Sequence, residues 1–328
     1  MNRIAKMGLV FLLCAALLVT LAGCGNKTKS TQAAPDKLKV FATVYPVYDF
    51  ARQVGGDKIE LAMLMPPGAE PHDWEPTAQD IVKIKSAKLV LYHGAGLEPV
   101  DKLLSKDVLA TVKAVEVSKG IPLLANHEND EDEDEDSHHQ HDKEKKPDQH
   151  KHESETDTHV WLDPVNAQQE VKAIAEALSE VDPPNKDYYQ KNAERFIQEL
   201  AKLDSDYQTT LAKAARHDII TSHIAFGYLA KRYNLEQIGI MGLAPDSEPT
   251  PDKMAKVVDF CRTHQVKYIF FETLVSPKLA DTIAKETGAG LLVLNPLENL
   301  TAEEIKQGKN YVSVMRENLS NLDKALQK

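Results

Sequence analysis

Cysteine is scarce in this sequence, with three in 328 residues. Cys14 lies inside an apolar stretch near the N-terminus and Cys24 directly follows that stretch, so only Cys261 belongs to the body of the chain. A fold held together by intramolecular disulfides is therefore excluded once the N-terminus is processed. Cys261 falls in a helical pattern, DKMAKVVDFCRTH, and is predicted to be a small buried side chain.

Long apolar runs are also missing, since Gly8 to Gly23 is too short for a comfortable membrane span. This run follows Arg3 and Lys6 and ends in LAGC, the pattern of a bacterial lipoprotein signal. We predict that residues 1–23 are removed, that Cys24 is lipidated, and that residues 24–37 form a polar tether. The lipid would hold the protein on the outer face of a membrane. A plain secretory signal and an uncleaved anchor helix are the alternatives.

Clusters of Lys and Arg are absent, which argues against a nucleic-acid partner. The net charge of −11 comes mainly from residues 126–158, where fourteen Asp and Glu oppose four Lys. The insertion at residues 126–157 has too few apolar residues for a core and is predicted to be disordered. Its histidines suggest low-affinity auxiliary metal binding, with a solvated acidic linker as the alternative. They are His127, His138, His139, His141, His150 and His152.

The longest uninterrupted helical pattern runs from Asn185 to Arg216 and contains no Gly or Pro. Pro183 and Pro184 precede it, with Asp182 as a candidate cap. At 1.5 Å per residue this helix would span about 45 Å. We interpret it as a rigid spine joining two lobes; an ordinary long surface helix is the alternative. Its apolar stripe consists of Tyr189, Ala193, Phe196, Leu200, Leu203, Tyr207 and Leu211.

Short apolar runs alternate with helical patterns on both sides of the spine, which predicts parallel sheets covered by helices. The predicted fold class is α/β, with two lobes that each contain a four-stranded, mainly parallel sheet. The lobes are predicted at residues 38–181 and 217–328, with the linking helix at 182–216. The predicted strands are 38–44, 59–65, 88–92 and 112–117 in the first lobe, and 218–222, 235–241, 267–271 and 291–295 in the second.

Four candidate metal-binding side chains follow predicted strands, where such sheets bind their ligands. His72 follows the second strand, His159 the fourth strand and its insertion, His223 the run DIITS, and Glu298 the run LLVLN. Three imidazoles and one carboxylate suit a four-coordinate zinc site better than a magnesium or calcium site. Spacing alone does not establish a site, because the four are 87, 64 and 75 residues apart.

Four stretches together, GAEPHDWEPT, THVWLDP, SHIAFGYLA and NPLENL, resemble the zinc-binding lipoproteins of bacterial ABC uptake systems. These are solute-binding proteins of family 9, cluster A-I, and the resemblance runs from Leu38 to the end of the chain. It implies two lobes joined by a spine, with one metal in the cleft, and carries the ligand positions over to His72, His159, His223 and Glu298. Manganese-type members have a carboxylate where His223 stands, so zinc is expected. Members differ in whether a carboxylate or water completes the shell, which leaves Glu298 open.

The resemblance implies a non-enzymatic, monomeric receptor that captures Zn²⁺ outside the membrane and delivers it to an ABC permease and its ATPase. Because zinc binds deprotonated imidazole, capture is expected to weaken as pH falls through about 6.5. The alternatives are a manganese-binding or adhesin-type homologue, a metal buffer that uses only the histidine tract, and a zinc hydrolase. The chain lacks the HExxH motif found in one class of zinc hydrolases.

Four further residues are predicted to lie near the site without ligating the metal. His93 ends the third strand and is a candidate for lining the cleft, and Glu272 ends the run YIFFE. Trp74 and Trp161 neighbour two of the ligands, so that they either exclude water from the cleft or simply pack.

Overall fold

The computed structural model describes residues 37–125, 156–245 and 248–327. The predicted signal sequence, the lipidation site Cys24, the tether and the six histidines of the insertion lie outside these residues. Among the residues that are described, no helix has both the length and the apolar character needed to cross a bilayer.

The first lobe is built on a parallel four-stranded sheet with the order β2-β1-β3-β4. Its strands are Leu38–Ala42 (β1), Ile59–Met63 (β2), Leu89–Tyr92 (β3) and Lys113–Glu116 (β4). The helices of this lobe are Tyr45–Gly55 (α1), Ala78–Lys85 (α2), Val100–Leu103 (α3), Lys106–Leu109 (α4) and Pro164–Val181 (α5). Thr77 caps α2 in a capping box with Asp80.

A small antiparallel ribbon closes the base of the insertion, pairing Leu124–Ala125 (β5) with Thr156–Asp157 (β6). The prediction that residues 126–157 are disordered is therefore wrong for the last two of them, because residues 156 and 157 form a strand. Backbone hydrogen bonding to β5 draws these two polar residues into the ordered fold, and the side chain of Asp157 is buried there.

The predicted spine is present as the 26-residue helix Lys186–Leu211 (α6), about 39 Å long at 1.5 Å per residue. All seven residues of its predicted apolar stripe are buried, which confirms the period. Burial of each Leu or Phe side chain contributes about 1.5–3 kcal/mol. The helix packs against α1 and α5 of the first lobe and against helices of the second lobe.

Both ends of the spine differ from the prediction. Asn185 belongs to a short 3₁₀ helix, and Asp182 does not cap α6 but accepts a hydrogen bond from the Tyr189 hydroxyl. Residues 212–216 leave the helix, because the backbone N–H groups of Ala215 and Arg216 donate to the carbonyl of Leu326. This contact turns the chain into the second lobe.

The second lobe contains four parallel strands that form two hydrogen-bonded pairs, β7 with β8 and β9 with β10. The pairs lie side by side at β7 and β9, where Ser222 Oγ donates to the Phe270 carbonyl at 3.4 Å. The four predicted strands are therefore present, without a continuous ladder. They are Asp218–Thr221 (β7), Glu236–Gly239 (β8), Tyr268–Phe271 (β9) and Gly290–Val293 (β10).

The helices of the second lobe cover these strands and enclose Cys261, which is 1% exposed, as predicted. Cys261 packs with Ile220, Ile269 and Ile283 in one apolar cluster. The helices are Gly227–Tyr233 (α7), Pro251–Thr263 (α8), Lys278–Thr287 (α9), Ala302–Lys306 (α10) and Tyr311–Leu326 (α11). Of these, α7 and α11 pack against the spine.

The segment 295–300 of the second lobe interlocks with the first lobe. The N–H of Tyr45 donates to the carbonyl of Glu298 at 3.3 Å, and the N–H of Gly68 donates to the carbonyl of Leu300 at 3.0 Å. The side-chain amide of Asn299 donates to the carbonyls of Pro66 and Ala69 at 2.8 and 3.0 Å. The chain from Lys37 onward thus forms one compact unit, and Glu298 is held against the first lobe.

Candidate metal centre

The structure brings His72, His159, His223 and Glu298 together in the cleft between the lobes, with one donor atom from each within 4.8 Å of the others. His72 Nε2 lies 3.0 Å and His159 Nε2 2.7 Å from Glu298 Oε1. His223 Nε2 lies 3.4 Å from His159 Nε2. A tetrahedral zinc ion with bonds of about 2.0–2.1 Å separates its ligands by about 3.3 Å, so these positions fit one zinc ion.

Strand ends and tight turns deliver the four side chains. His223 lies two residues after the end of β7, and its carbonyl accepts hydrogen bonds from the side chains of Thr221 and Gln237. Glu298 follows Leu297, whose φ of 61° is unusual for a residue other than glycine. This bend is stabilised because the Leu297 N–H donates to Asn295 Oδ1 at 2.8 Å. The bend turns the carboxylate of Glu298 into the cleft.

Two of the three histidines contact a carboxylate through Nδ1, the ring nitrogen that does not face the cleft. His159 Nδ1 lies 2.8 Å from Asp157 Oδ1, and His223 Nδ1 lies 2.7 Å from Glu272 Oε1. An N–H at each Nδ1 leaves each Nε2 directed at the cleft, which is the tautomer that a metal requires. One such carboxylate comes from each lobe.

The environment raises the proton affinity of these histidines. Burial alone lowers the pKa of His159, but Asp157 and Glu298 outweigh that effect and raise it to about 9. Burial also lowers the pKa of His223, but Glu272 and Glu298 outweigh this effect and raise the pKa well above the usual range. Burial raises the pKa of Glu298, yet hydrogen bonds from the three histidines hold it well below the usual value. At neutral pH a cation entering the cleft must displace protons from imidazoles.

Buried carboxylate oxygens with no hydrogen-bond partner surround the cleft. Among the described residues these include one oxygen each of Glu70, Glu272 and Glu298. Burial, and then the charge of Glu298, raise the pKa of the Glu70 carboxyl to about 8. Unpaired buried acceptors are costly, and a bound cation is one way to compensate them. The donor set and its surroundings therefore fit a positively charged ligand.

The four residues predicted to support the site lie in different places. Glu272 contacts His223 directly. His93 does not line the cleft; it is buried, with Nε2 2.8 Å from the Thr158 carbonyl and Nδ1 3.1 Å from Glu170. Trp161 is fully buried, and its ring lies in a T-shaped arrangement with that of His159, with the centroids 5.5 Å apart. Trp74 is half-buried against two apolar clusters.

Sequence reasoning missed Asp157, because it was assigned to the disordered insertion. The signal that identifies it is local: an acid two residues before a candidate histidine can reach Nδ1, as Asp157 does for His159. The structure also explains Gly227 at the start of α7. A Cβ there would lie 2.4 Å from Asp157 Oδ2, so glycine lets the carboxylate approach that helix.

Replacing Asp157 with alanine is expected to weaken zinc binding about 10- to 100-fold, the usual effect of losing a carboxylate behind a ligating histidine. The reason is that His159 loses its partner at Nδ1 and at its backbone N–H. Competition titration against a zinc chelator measures the change. The exposed acid Asp187 provides the control as Asp187→Ala, and equal affinities for both variants would contradict the role of Asp157.

Comparisons with known proteins place this geometry in a family. Residues 40–325 match the model of the ZnuA family, which is described as "Zinc-uptake complex component A periplasmic". The chain is 42% identical over 318 residues to the high-affinity zinc uptake system protein ZnuA of Bacillus subtilis, covering 95% of each chain.

Two solved structures are similar as well. The Zn(II)-bound AdcA of Streptococcus pneumoniae has a TM-score of 0.73 and 36% identity; the match covers 89% of this chain but 58% of AdcA. The laminin-binding protein Lmb of Streptococcus agalactiae, described as having adhesin and metal-transporting activity, has a TM-score of 0.75 and 33% identity, covering 88% of this chain and all of Lmb. The family match spans nearly all described residues, and the chain belongs to the ZnuA family of zinc-uptake components.

Proposed function

We propose that this chain captures one Zn²⁺ ion between its lobes, with His72, His159, His223 and Glu298 as the four ligands. The observation that carries the proposal is the convergence of their donor atoms within 4.8 Å. Zinc takes such nitrogen and oxygen donors in tetrahedral sites. Glu298 Oε1 lies within 3.5 Å of a ring nitrogen of all three imidazoles, which supports a carboxylate rather than water as the fourth ligand.

Zinc is favoured over manganese because of the residue at position 223. A neutral imidazole there gives three nitrogen donors, whereas manganese favours carboxylate, carbonyl and water oxygens. The zinc-bound state of the related AdcA supports the same choice.

The captured ion is cargo, and we propose that it passes to the permease and ATPase of an ABC importer. Family membership supports an extracytoplasmic receptor. We further propose that Cys24 carries the lipid that anchors the chain, that the receptor acts as a monomer, and that the spine separates lobes at residues 38–181 and 217–328.

We also propose that the protein is not an enzyme. A catalytic zinc ion needs three protein ligands and an open position for water. With Glu298 as the proposed fourth ligand, no position at the ion is left open for a catalytic water. Assays of esterase, amidase and peptidase activity on the zinc-bound protein test this point, and turnover that depends on His159 would contradict it.

The insertion is proposed to collect zinc weakly through its six histidines without forming the tight site. Deletion must stop at residue 155, because Asp157 belongs to the site. The variant therefore carries a two-residue Asn-Gly turn in place of residues 126–155, so that Ala125 and Thr156 can still pair across the ribbon. We expect it to bind one zinc ion with the affinity of the full chain, while weak additional binding disappears. Isothermal titration of both proteins measures the stoichiometry, and loss of the tight site on deletion would favour the metal-buffer hypothesis.

A further inference from the structure

His93 and Glu170 form a buried pair that the four-ligand site does not use. Both side chains are 0% exposed, and His93 Nδ1 lies 3.1 Å from Glu170 Oε1. His93 directly follows β3, and Glu170 faces it from α5. A buried ion pair is often no more stabilising than apolar residues of similar volume. Stability alone is therefore a weak explanation for this pair.

The two ring nitrogens of His93 face two acceptors. Nε2 lies 2.8 Å from the carbonyl oxygen of Thr158, and Nδ1 faces the carboxylate of Glu170. A carbonyl oxygen only accepts hydrogen bonds, so Nε2 carries a hydrogen and donates it to Thr158. Burial lowers the pKa of His93, and Glu170 more than offsets this and raises it.

The contact of His93 Nε2 with the Thr158 carbonyl holds the backbone directly before His159, the proposed zinc ligand. The neighbours of Thr158 in the chain are held as well: the Tyr228 hydroxyl donates to the Asp157 carbonyl at 3.1 Å. The ring of His93 also meets Trp161 edge-on, with the ring centroids 4.7 Å apart. The peptide that leads into His159 is thus fixed from the first lobe by His93 and from the second lobe by Tyr228.

We propose that His93 is a positioning residue for His159, because its Nε2–H holds the Thr158 carbonyl. The proposal rests on the proposed zinc function, because positioning is defined by its effect on that ion. His93 touches neither the cleft nor the donor atoms, so its effect passes through the backbone of residues 158 and 159.

Two variants that differ only at position 93 test the proposal. Glu170→Leu removes the buried charge but keeps a neutral His93 whose Nε2–H can still donate to Thr158. His93→Phe added to Glu170→Leu keeps an aromatic ring against Trp161 and removes that donor. Replacing both partners by apolar groups avoids leaving an unpaired buried charge. We expect zinc affinity to remain within about threefold of wild type in Glu170→Leu and to fall at least about tenfold further in the double variant.

A spectroscopic measurement separates positioning from general loss of structure. Co²⁺ bound in place of zinc is expected to show altered visible absorption in the double variant, while the melting temperature of the metal-free protein stays close to that of Glu170→Leu. Tyr189→Phe is the control, because it removes a different hydrogen bond, the one from the Tyr189 hydroxyl to Asp182. We expect this change to leave zinc binding and the Co²⁺ spectrum unchanged. Should the double variant not fold, His93→Met in the Glu170→Leu background is measured in the same way.

The outcomes distinguish this inference from the proposed function. Wild-type protein without a tight zinc site overturns the proposed function and this inference with it. Tight wild-type binding, with equal zinc affinity and Co²⁺ spectrum in the two matched variants, overturns the positioning role of His93 and leaves the proposed function intact.

Discussion

Replacing His159 with alanine is expected to weaken zinc binding by about two to three orders of magnitude. Zinc in four-ligand protein sites is bound with roughly 10–16 kcal/mol, or about 2.5–4 kcal/mol per ligand, and every 1.4 kcal/mol is about tenfold in affinity. His159 is fully buried, with one nitrogen on Asp157 and the other beside Glu298. Competition titration with a high-affinity chelator resolves this range.

The matched control is His217→Ala, because His217 is exposed and does not belong to the four-residue cluster. We expect its zinc affinity to equal that of the wild type. Circular dichroism of both metal-free variants establishes that they fold. A His159→Ala protein that folds and binds zinc within threefold of the wild type would contradict the assigned ligand set.

Zinc affinity is expected to rise steeply with pH between about 6 and 9. Both His159 and His223 have raised pKa values in the metal-free protein. The pKa of His159 is about 9, whereas an unperturbed histidine has a pKa near 6.5. Zinc must displace a proton from both His159 and His223. With two protons displaced, the apparent dissociation constant falls by up to about a hundredfold for each unit that the pH rises, as long as the pH is below the pKa values of both histidines. The environment thus moves the pH dependence upward from the value expected for an unperturbed histidine.

The metal-free protein is expected to show the opposite trend in stability. A histidine whose pKa is raised by folding contributes stability that is fully present below the unfolded value, about 6.5, and is lost as pH rises through the folded value, about 9. Melting temperatures measured from pH 6 to 9 with and without zinc should therefore diverge. Titration calorimetry in buffers of different ionisation enthalpy counts the released protons. Release of no protons at pH 7 would refute this account.

Local sequence patterns were enough to predict most of the regular structure. The spine stripe is one case: seven apolar residues at helical spacing on a charged background leave a single face to bury, and each of the seven is buried. The ends of that helix were not predictable, because Arg216 and Ala215 leave it to contact Leu326, more than a hundred residues away. Likewise, whether the second lobe's four strands hydrogen-bond continuously depends on how their edges meet in space.

The candidate ligands were also predictable as a group, because parallel strands present their carboxyl ends at one edge. The structure shows His72, His159, His223 and Glu298 within reach of one another, although their assignment as ligands remains a prediction. Asp157 escaped notice because its neighbours read as a disordered acidic tract. Its pairing with Leu124 across the base of the insertion is a long-range contact that composition conceals.

The sequence by itself determined the α/β pattern, the amphipathic spine and the residue types available for a metal. Only the tertiary structure decided which nitrogen of each histidine faces the cleft. It also decided that Asp157 and Glu272 contact the other ring nitrogen of His159 and His223, and that His93 contacts the Thr158 carbonyl instead of lining the cleft. The physical reason is that tautomer, burial and pKa depend on partners brought together from distant segments. A residue's neighbours in the chain do not specify its neighbours in space.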